Sequence, residues 1–138
     1  PGYFGRPEAT AAAIRDGWLH TGDVGRLDAD GFLYVMDRRD DLIVSAGENV
    51  YPAEVEAALV AHPAVMSAAV VGLPNERWGQ VVSAAIVEAT EVTDGELEAW
   101  MRAKLARNKV PRRFVRVAEL PLTANGKIQR RLVRNLFD

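Results

Sequence analysis

The chain has 138 residues, 49% of them hydrophobic, enough for about one domain with a buried core. A formal net charge of −2 supplies no bulk positive field, which argues against a nucleic-acid or anionic-membrane partner. The absence of cysteine excludes a disulfide frame, a thiolate metal site and a thiol nucleophile, and the two histidines, His20 and His62, have no metal-ligand spacing.

No stretch approaches the roughly 18 apolar residues of a membrane span. No signal peptide is visible, so a cytoplasmic location is expected. Residues 1–7 read as a loop, with two prolines, two glycines and two aromatics; so abrupt a start points to a longer parent chain. Residues 8–15 are alanine-rich and predict one short helix, ended by Asp16-Gly17. Trp18-Leu19-His20 predicts a short strand running into Thr21-Gly22-Asp23. Asp23 has two readings: a turn aspartate capping its own backbone, or a carboxylate placed to accept both hydroxyls of a ribose. The tripeptide alone favours the first.

Residues 25–27 and 32–36 predict a hairpin, with Asp30-Gly31 as its turn and Phe32, Tyr34 and Met36 alternating. The five charges Asp37-Arg38-Arg39-Asp40-Asp41 should break it, as a solvated turn or a linker between two bodies. A second hairpin is expected from residues 42–44 and 48–51 around Ser45-Ala46-Gly47. Pro52 suits the first turn of a helix, with Glu54 and Glu56 near its positive end. Val55, Ala58, Leu59 and His62 would form its buried stripe, and His62-Pro63 its stop.

Residues 65–73 and 80–87 predict two apolar strands around a loop at 74–79. Thr93 and Glu96 form a capping box before a helix that buries Leu97, Trp100, Met101 and Leu105. Phe114, Val115 and Val117 predict a third strand. Asn125-Gly126 is a strong turn pair, because both residues tolerate φ > 0, and Pro121 stiffens the approach. Ile128, Leu132, Val133 and Leu136 then repeat at helical spacing, which puts Lys127 on a stiff turn at a helix start. A cation held there meets an anion with little entropy left to lose. Arg130, Arg131 and Arg134 read as a solvated face. Arg102 and Lys104 read as solvated surface ahead of the alternative, a reach to anionic phosphates. The fold class is α+β: a hairpin and a three-stranded sheet covered by helices, preceded by a further hairpin.

Four motifs, in order, resemble the C-terminal part of the adenylate-forming superfamily: acyl-CoA synthetases, luciferases and peptide-synthetase adenylation domains. Gly2-Tyr3-Phe4 with residues 6–10 resembles the segment after the acyl pocket. Residues 18–23 resemble the ribose-binding loop, residues 37–41 with 47–56 the hinge and its following motif, and residues 125–128 the catalytic-lysine loop. Residues 47–56 have the form typical of acyl-CoA synthetases, and residues 74–80 are similar to fatty-acyl-CoA synthetases. One departure is Asp37, where the family usually has glycine.

The resemblance implies roles. Lys127 would stabilise charge gathering on the carboxylate and the α-phosphate. Asp23 would hold the ribose hydroxyls, Arg38 would meet the ribose or phosphates, Asp40 would be the hinge, and Gly47 would admit the pantetheine arm of CoA. Residues 1–39 would end the large domain, and residues 40–138 would form the mobile small one. ATP/AMP, CoA and Mg2+ are the implied cofactors, Mg2+ held mainly by the N-terminal domain, which is itself the implied partner. No metal site is expected in this stretch. The expected function is part of an AMP-forming acyl-CoA synthetase, with a fatty acid as substrate; this stretch alone should be inactive, since the glycine-rich phosphate loop is not in it. The alternatives are an aryl- or succinylbenzoyl-type CoA ligase, and a non-catalytic interaction module that kept the small-domain fold.

Overall fold

The computed structural model describes residues 2–138, which form two compact units meeting in the chain between Asp40 and Asp41. The first unit holds helix α1 (Pro7–Ala13) and strands β1 (Ile14–Arg15), β2 (Trp18–Leu19), β3 (Asp23–Leu27) and β4 (Leu33–Arg38). The helix ends two residues short of the predicted limit because Ile14 and Arg15 pair with Leu19 and Trp18. The reversal uses Asp16 and Gly17 at φ 51° and 80°, a primed turn that matches strand twist. Strands β3 and β4 pair antiparallel, and the ladder runs on through Val24–Asp37 and Asp23–Arg38. The first two of the five charges are therefore strand, and the break comes at a 3₁₀ turn over Arg39–Asp41. Among the described residues up to Asp40 none is buried; Phe4, Trp18, Phe32 and Val35 are all largely exposed.

The second unit contains β5 (Ile43–Ser45), β6 (Glu48–Val50), α2 (Pro52–Val60), β7 (Val65–Asn75), β8 (Gly79–Glu88), α3 (Asp94–Arg102), β9 (Arg113–Arg116) and α4 (Arg130–Arg134). The expected hairpin and three strands are present, and one pairing, Ser45 with Gly79, joins them into a five-stranded sheet. Its order is β6-β5-β8-β7, with β9 parallel beside β8. Strand β7 takes in Pro74 and Asn75, which pair with Gln80 and Gly79, so the predicted loop shrinks to residues 76–78. A proline is tolerated there because β7 pairs only with β8 and its outer edge needs no ladder.

Period-2 alternation sorts β7 between two cores. Ala68 and Val70 join Ile43, Val55, Leu59, Val82, Leu97 and Met101 under α2 and α3. Ala69, Val71 and Leu73 join Val81, Ala85 and Val133 under α4. A strand buried on both faces reads as one continuous apolar run, which is how residues 65–73 appear in the sequence.

Helix α2 begins at Pro52 and stops at Val60, so His62 lies beyond it; its Nδ1 accepts from the Ala64 amide at 3.2 Å. The capping box forms as expected: Thr93 Oγ1 accepts from the Glu96 amide at 3.3 Å, and the Thr93 amide donates to Glu96 at 2.9 Å. The Thr93 hydroxyl, donating to the Glu96 carboxylate, holds that carboxyl below its ordinary pKa, with help from the Thr93 amide. None of the helices among the described residues is long and apolar enough to cross a membrane.

Candidate functional site

The predicted nucleotide residues Asp23 and Arg38 are brought together. They are the first pair of the β3–β4 ladder, and Arg38 Nε lies 3.1 Å from Asp23 Oδ1. Arg38 Nη1 also donates to the Thr21 carbonyl at 3.0 Å, and the Arg39 amide donates to Gly22 O at 2.8 Å. Gly22 at φ 78° makes the bend, a left-handed conformation that a side chain would strain. The Thr21 hydroxyl accepts from the Asp23 amide at 3.1 Å. The loop is thus closed on itself, and it borders a hollow of about 510 Å³ lined by Leu19, His20, Asp23, Arg39 and Asp40. Asp23 serves as a partly exposed ion-pair acceptor and does not accept from its own backbone amides in the way a capping turn does.

Asp40 is exposed in the 3₁₀ turn and is the last residue of the first unit. Gly47 forms the β5–β6 turn with Ala46, at φ 81° and 54°. A Cβ on Gly47 would meet nothing within 4 Å, so its requirement for glycine comes from the backbone angle and leaves open space above it. Ala46 is a non-glycine residue in the left-handed region, held by a 3.0 Å hydrogen bond from its amide to Trp78 O. The two residues border an open groove of about 900 Å³ with Val44, Trp78 and Gln80. Gln80 accepts from the Val44 amide at 2.8 Å, and the Arg112 guanidinium stacks 4.1 Å from the Trp78 ring centroid.

Lys127 is exposed at the end of a tight loop. The Gly126 amide donates to Thr123 O at 2.9 Å, and the Thr123 amide donates to Lys127 O at 2.7 Å. Thr123 Oγ1 accepts from the Lys127 amide at 3.1 Å, and Leu122 pairs with Ile128. This is a three-residue hairpin loop, 124–126, whose third residue is left-handed. The expected turn forms at Asn125-Gly126, and within it Gly126, at φ 75°, takes the positive φ while Asn125 does not. The helix also starts later, at Arg130, so the lysine stands on a closed loop and not on the helix. The same bonds recur at residues 28–32, where Gly31 has φ 85° and the Asp28 carboxylate takes the place of the Thr123 hydroxyl. Phe32 occupies there the position of Lys127. The Phe32 amide, first among several donors, holds the Asp28 carboxyl below its ordinary range.

Arg130 departs from the solvated-face reading. Its side chain is only 12% exposed, and Nη2 donates to Glu56 at 2.9 and 3.0 Å. Partners 74 residues apart leave no spacing signal in the sequence. Arg131 is exposed as expected. Arg102 and Lys104 are exposed as expected; Arg102 pairs with Glu98 at 2.7 Å, and Lys104 Nζ lies 4.2 Å from the Trp100 ring centroid. Trp78 and Arg112 were not singled out for a site by their sequence; the fold stacks them beside the Gly47 groove. No group of His, Asp or Glu among the described residues is arranged to hold a metal ion.

The model of the AMP-binding enzyme C-terminal domain matches residues 54–127. The chain is 53% identical over 137 residues to a 2-succinylbenzoate–CoA ligase of Bacillus mycoides, covering 99% of this chain and 28% of that protein. Its fold matches an o-succinylbenzoate CoA synthetase from Bacillus subtilis in complex with its acyl-adenylate intermediate, with TM-score 0.92, 47% identity, and coverage of 96% and 28%. The same synthetase with ATP and magnesium ion gives TM-score 0.87 at 46% identity, covering 98% and 27%. A fatty acyl CoA synthetase of Mycobacterium tuberculosis gives TM-score 0.74 at 40% identity, covering 99% and 27%. This chain spans about 28% of the length of the curated relatives it matches. The chain belongs to the family of AMP-binding enzyme C-terminal domains.

Proposed function

We propose that the chain is part of an AMP-forming acid–thiol ligase that converts a 2-succinylbenzoate-type carboxylic acid to its CoA thioester. The observation that carries this reading is the 53% identity with a 2-succinylbenzoate–CoA ligase along 99% of the chain, and, between solved structures, 47% identity with the o-succinylbenzoate CoA synthetase against 40% with the fatty acyl CoA synthetase. The fatty-acid expectation gives way for that reason.

In the first half-reaction a carboxylate oxygen attacks the α-phosphorus of ATP, and the bond to pyrophosphate breaks. Lys127 is assigned to the charge that gathers there; its ammonium is exposed and its backbone is fixed by the 123–127 loop. Asp23 would exchange part of its contact with Arg38 for the two ribose hydroxyls, leaving Arg38 to reach ribose or phosphate as a charge-assisted donor. In the second half-reaction the CoA thiolate attacks the acyl carbonyl carbon, and the bond to AMP breaks. The groove beside Gly47, with no obstruction above the glycine and Trp78 in its wall, suits a narrow pantetheine arm. Residues up to 39 are read as the end of the large domain and residues 40–138 as the small one, with Asp40 as the hinge; the border between the units at Asp40–Asp41 supports this. Among the described residues no group of His, Asp or Glu is arranged to hold Mg2+, and no step in this chain is assigned to it.

The test is to assay the full-length protein for ATP–pyrophosphate exchange and thioester formation with 2-succinylbenzoate, benzoate and a long-chain fatty acid. 2-Succinylbenzoate should give the highest kcat/KM. A preference for the fatty acid would overturn the substrate assignment, and no exchange with any acid would overturn the ligase.

A further inference from the structure

The geometry points to Arg130 as the positioning residue of the Lys127 loop, acting through its buried ion pair with Glu56 and reaching Asp41 at the start of the second unit. The inference rests on the role assigned to Lys127 above. Helix α4 has five residues, too few to be stable by itself, so something must hold it to the body of the unit. Two side chains do so. Val133 is fully buried in the second core, and Arg130, 12% exposed, faces Glu56, 15% exposed. The Glu56 carboxylate is anchored in turn, since it accepts from the Val70 amide on strand β7 at 2.8 Å.

The path from Arg130 to the lysine is short and stiff. Gln129 donates its amide to Pro121 O at 2.8 Å and its side-chain nitrogen to Leu122 O at 2.7 Å. Ile128 pairs with Leu122 and packs on the second core. A shift of the guanidinium therefore moves both legs of the loop that presents Lys127. Arg130 Nε is buried without a hydrogen-bond acceptor, and Asp41 Oδ2 lies 3.9 Å from it. An unmade bond at a buried donor costs more than a made one contributes, so this N–H favours any movement that brings the Asp41 carboxylate closer. One guanidinium thus links the lysine loop, helix α2 and the residue next to the hinge. Because a buried ion pair is often no more stabilising than an apolar replacement, its value here lies in placement.

The experiment uses the full-length protein with Arg130→Lys and with the double variant Arg130→Met/Glu56→Gln. The double variant strands no buried charge and keeps an acceptor for the Val70 amide, so its melting temperature should stay near that of the wild type. Both variants should form acyl-adenylate at least about tenfold more slowly, while thioester formation from supplied acyl-adenylate changes less than about twofold. Amide exchange at residues 122–128 should speed by about tenfold or more relative to β7 and β8. A double variant with wild-type melting and wild-type adenylation overturns the inference, as does unchanged exchange in the loop. If the wild type adenylates no acid yet the exchange difference appears, the ligase reading fails and the anchoring stands.

Discussion

At the scale of single residues, Lys127 and Asp23 differ in what their surroundings do for them. Lys127 is exposed and has little to lose in stability, so its substitution should be felt in chemistry. In the full-length enzyme Lys127→Ala should slow adenylation by about 10²-fold, the size of one lost electrostatic donor at a charged transition state. Thioester formation from supplied acyl-adenylate should be largely spared, and equal losses in both half-reactions would remove the lysine from its role. Asp23 sits in an ion pair whose side chains are 34% and 58% exposed, where such pairs contribute about 0–1 kcal/mol. Asp23→Asn should therefore leave the melting temperature nearly unchanged. It should raise the KM for ATP about tenfold, since hydrogen bonds to a charged acceptor are worth about 1.5–3 kcal/mol. A wild-type KM for ATP would return Asp23 to an ordinary ladder position.

Among elements, two turns and one cap make separate claims. Ala46 holds a left-handed conformation that costs a non-glycine residue roughly 1–2 kcal/mol. Glycine removes that strain but adds roughly 0.5–1 kcal/mol of unfolded-chain entropy. Ala46→Gly should then stabilise the protein slightly in denaturant titration, and a clear loss of stability would show that the angle is not strained. The α3 cap gives a pH signature. Thr93→Ala should cost about 1 kcal/mol. Glu96 has its folded pKa lowered from an ordinary 4.5, so its contribution is present above that value and is lost as pH falls through the folded one. Without Thr93 the lowering shrinks, and the stability–pH curve of the variant should be flatter below about pH 4.5. Parallel curves for the two proteins would mean that the box does not hold the carboxylate in solution.

At the scale of the whole molecule, the proposed ligase would need the two units to serve two half-reactions. If Asp40 is the hinge, its backbone takes different angles in each. Proline fixes φ near −65°, a value a 3₁₀ turn accommodates, and removes the amide donor. In the full-length enzyme Asp40→Pro should reduce one half-reaction far more than the other, with little change in melting because the residue is exposed. Unchanged rates in both, or equal losses explained by unfolding, would leave residues 39–41 an ordinary solvated turn. The rival reading, a non-catalytic interaction module that kept the small-domain fold, makes the opposite forecast for every variant of Lys127, Asp23 and Asp40.

What the sequence determined by itself lies within a few residues or one element. The capping box at Thr93, the helix start at Pro52, the turns at Gly31, Gly47 and Gly126 and the apolar run of β7 all follow from local hydrogen bonds, backbone angles and side-chain period. The ordered motifs pointed to the family for the same reason, since each motif is contiguous. Only the tertiary structure decided what depends on distant partners. It joined the hairpin to the sheet through Ser45 and Gly79, set Arg38 against Asp23, and turned Arg130 from a solvated cation into the partner of Glu56. It also moved the limits of α1, β4 and α4: strand pairing outcompeted helix propensity at Ile14, the ladder ran on through the charged Asp37 and Arg38, and loop closure kept Lys127 out of the helix. A residue's type says what bond it is able to make, and the fold brings up the partner from 15, 34 or 74 positions away.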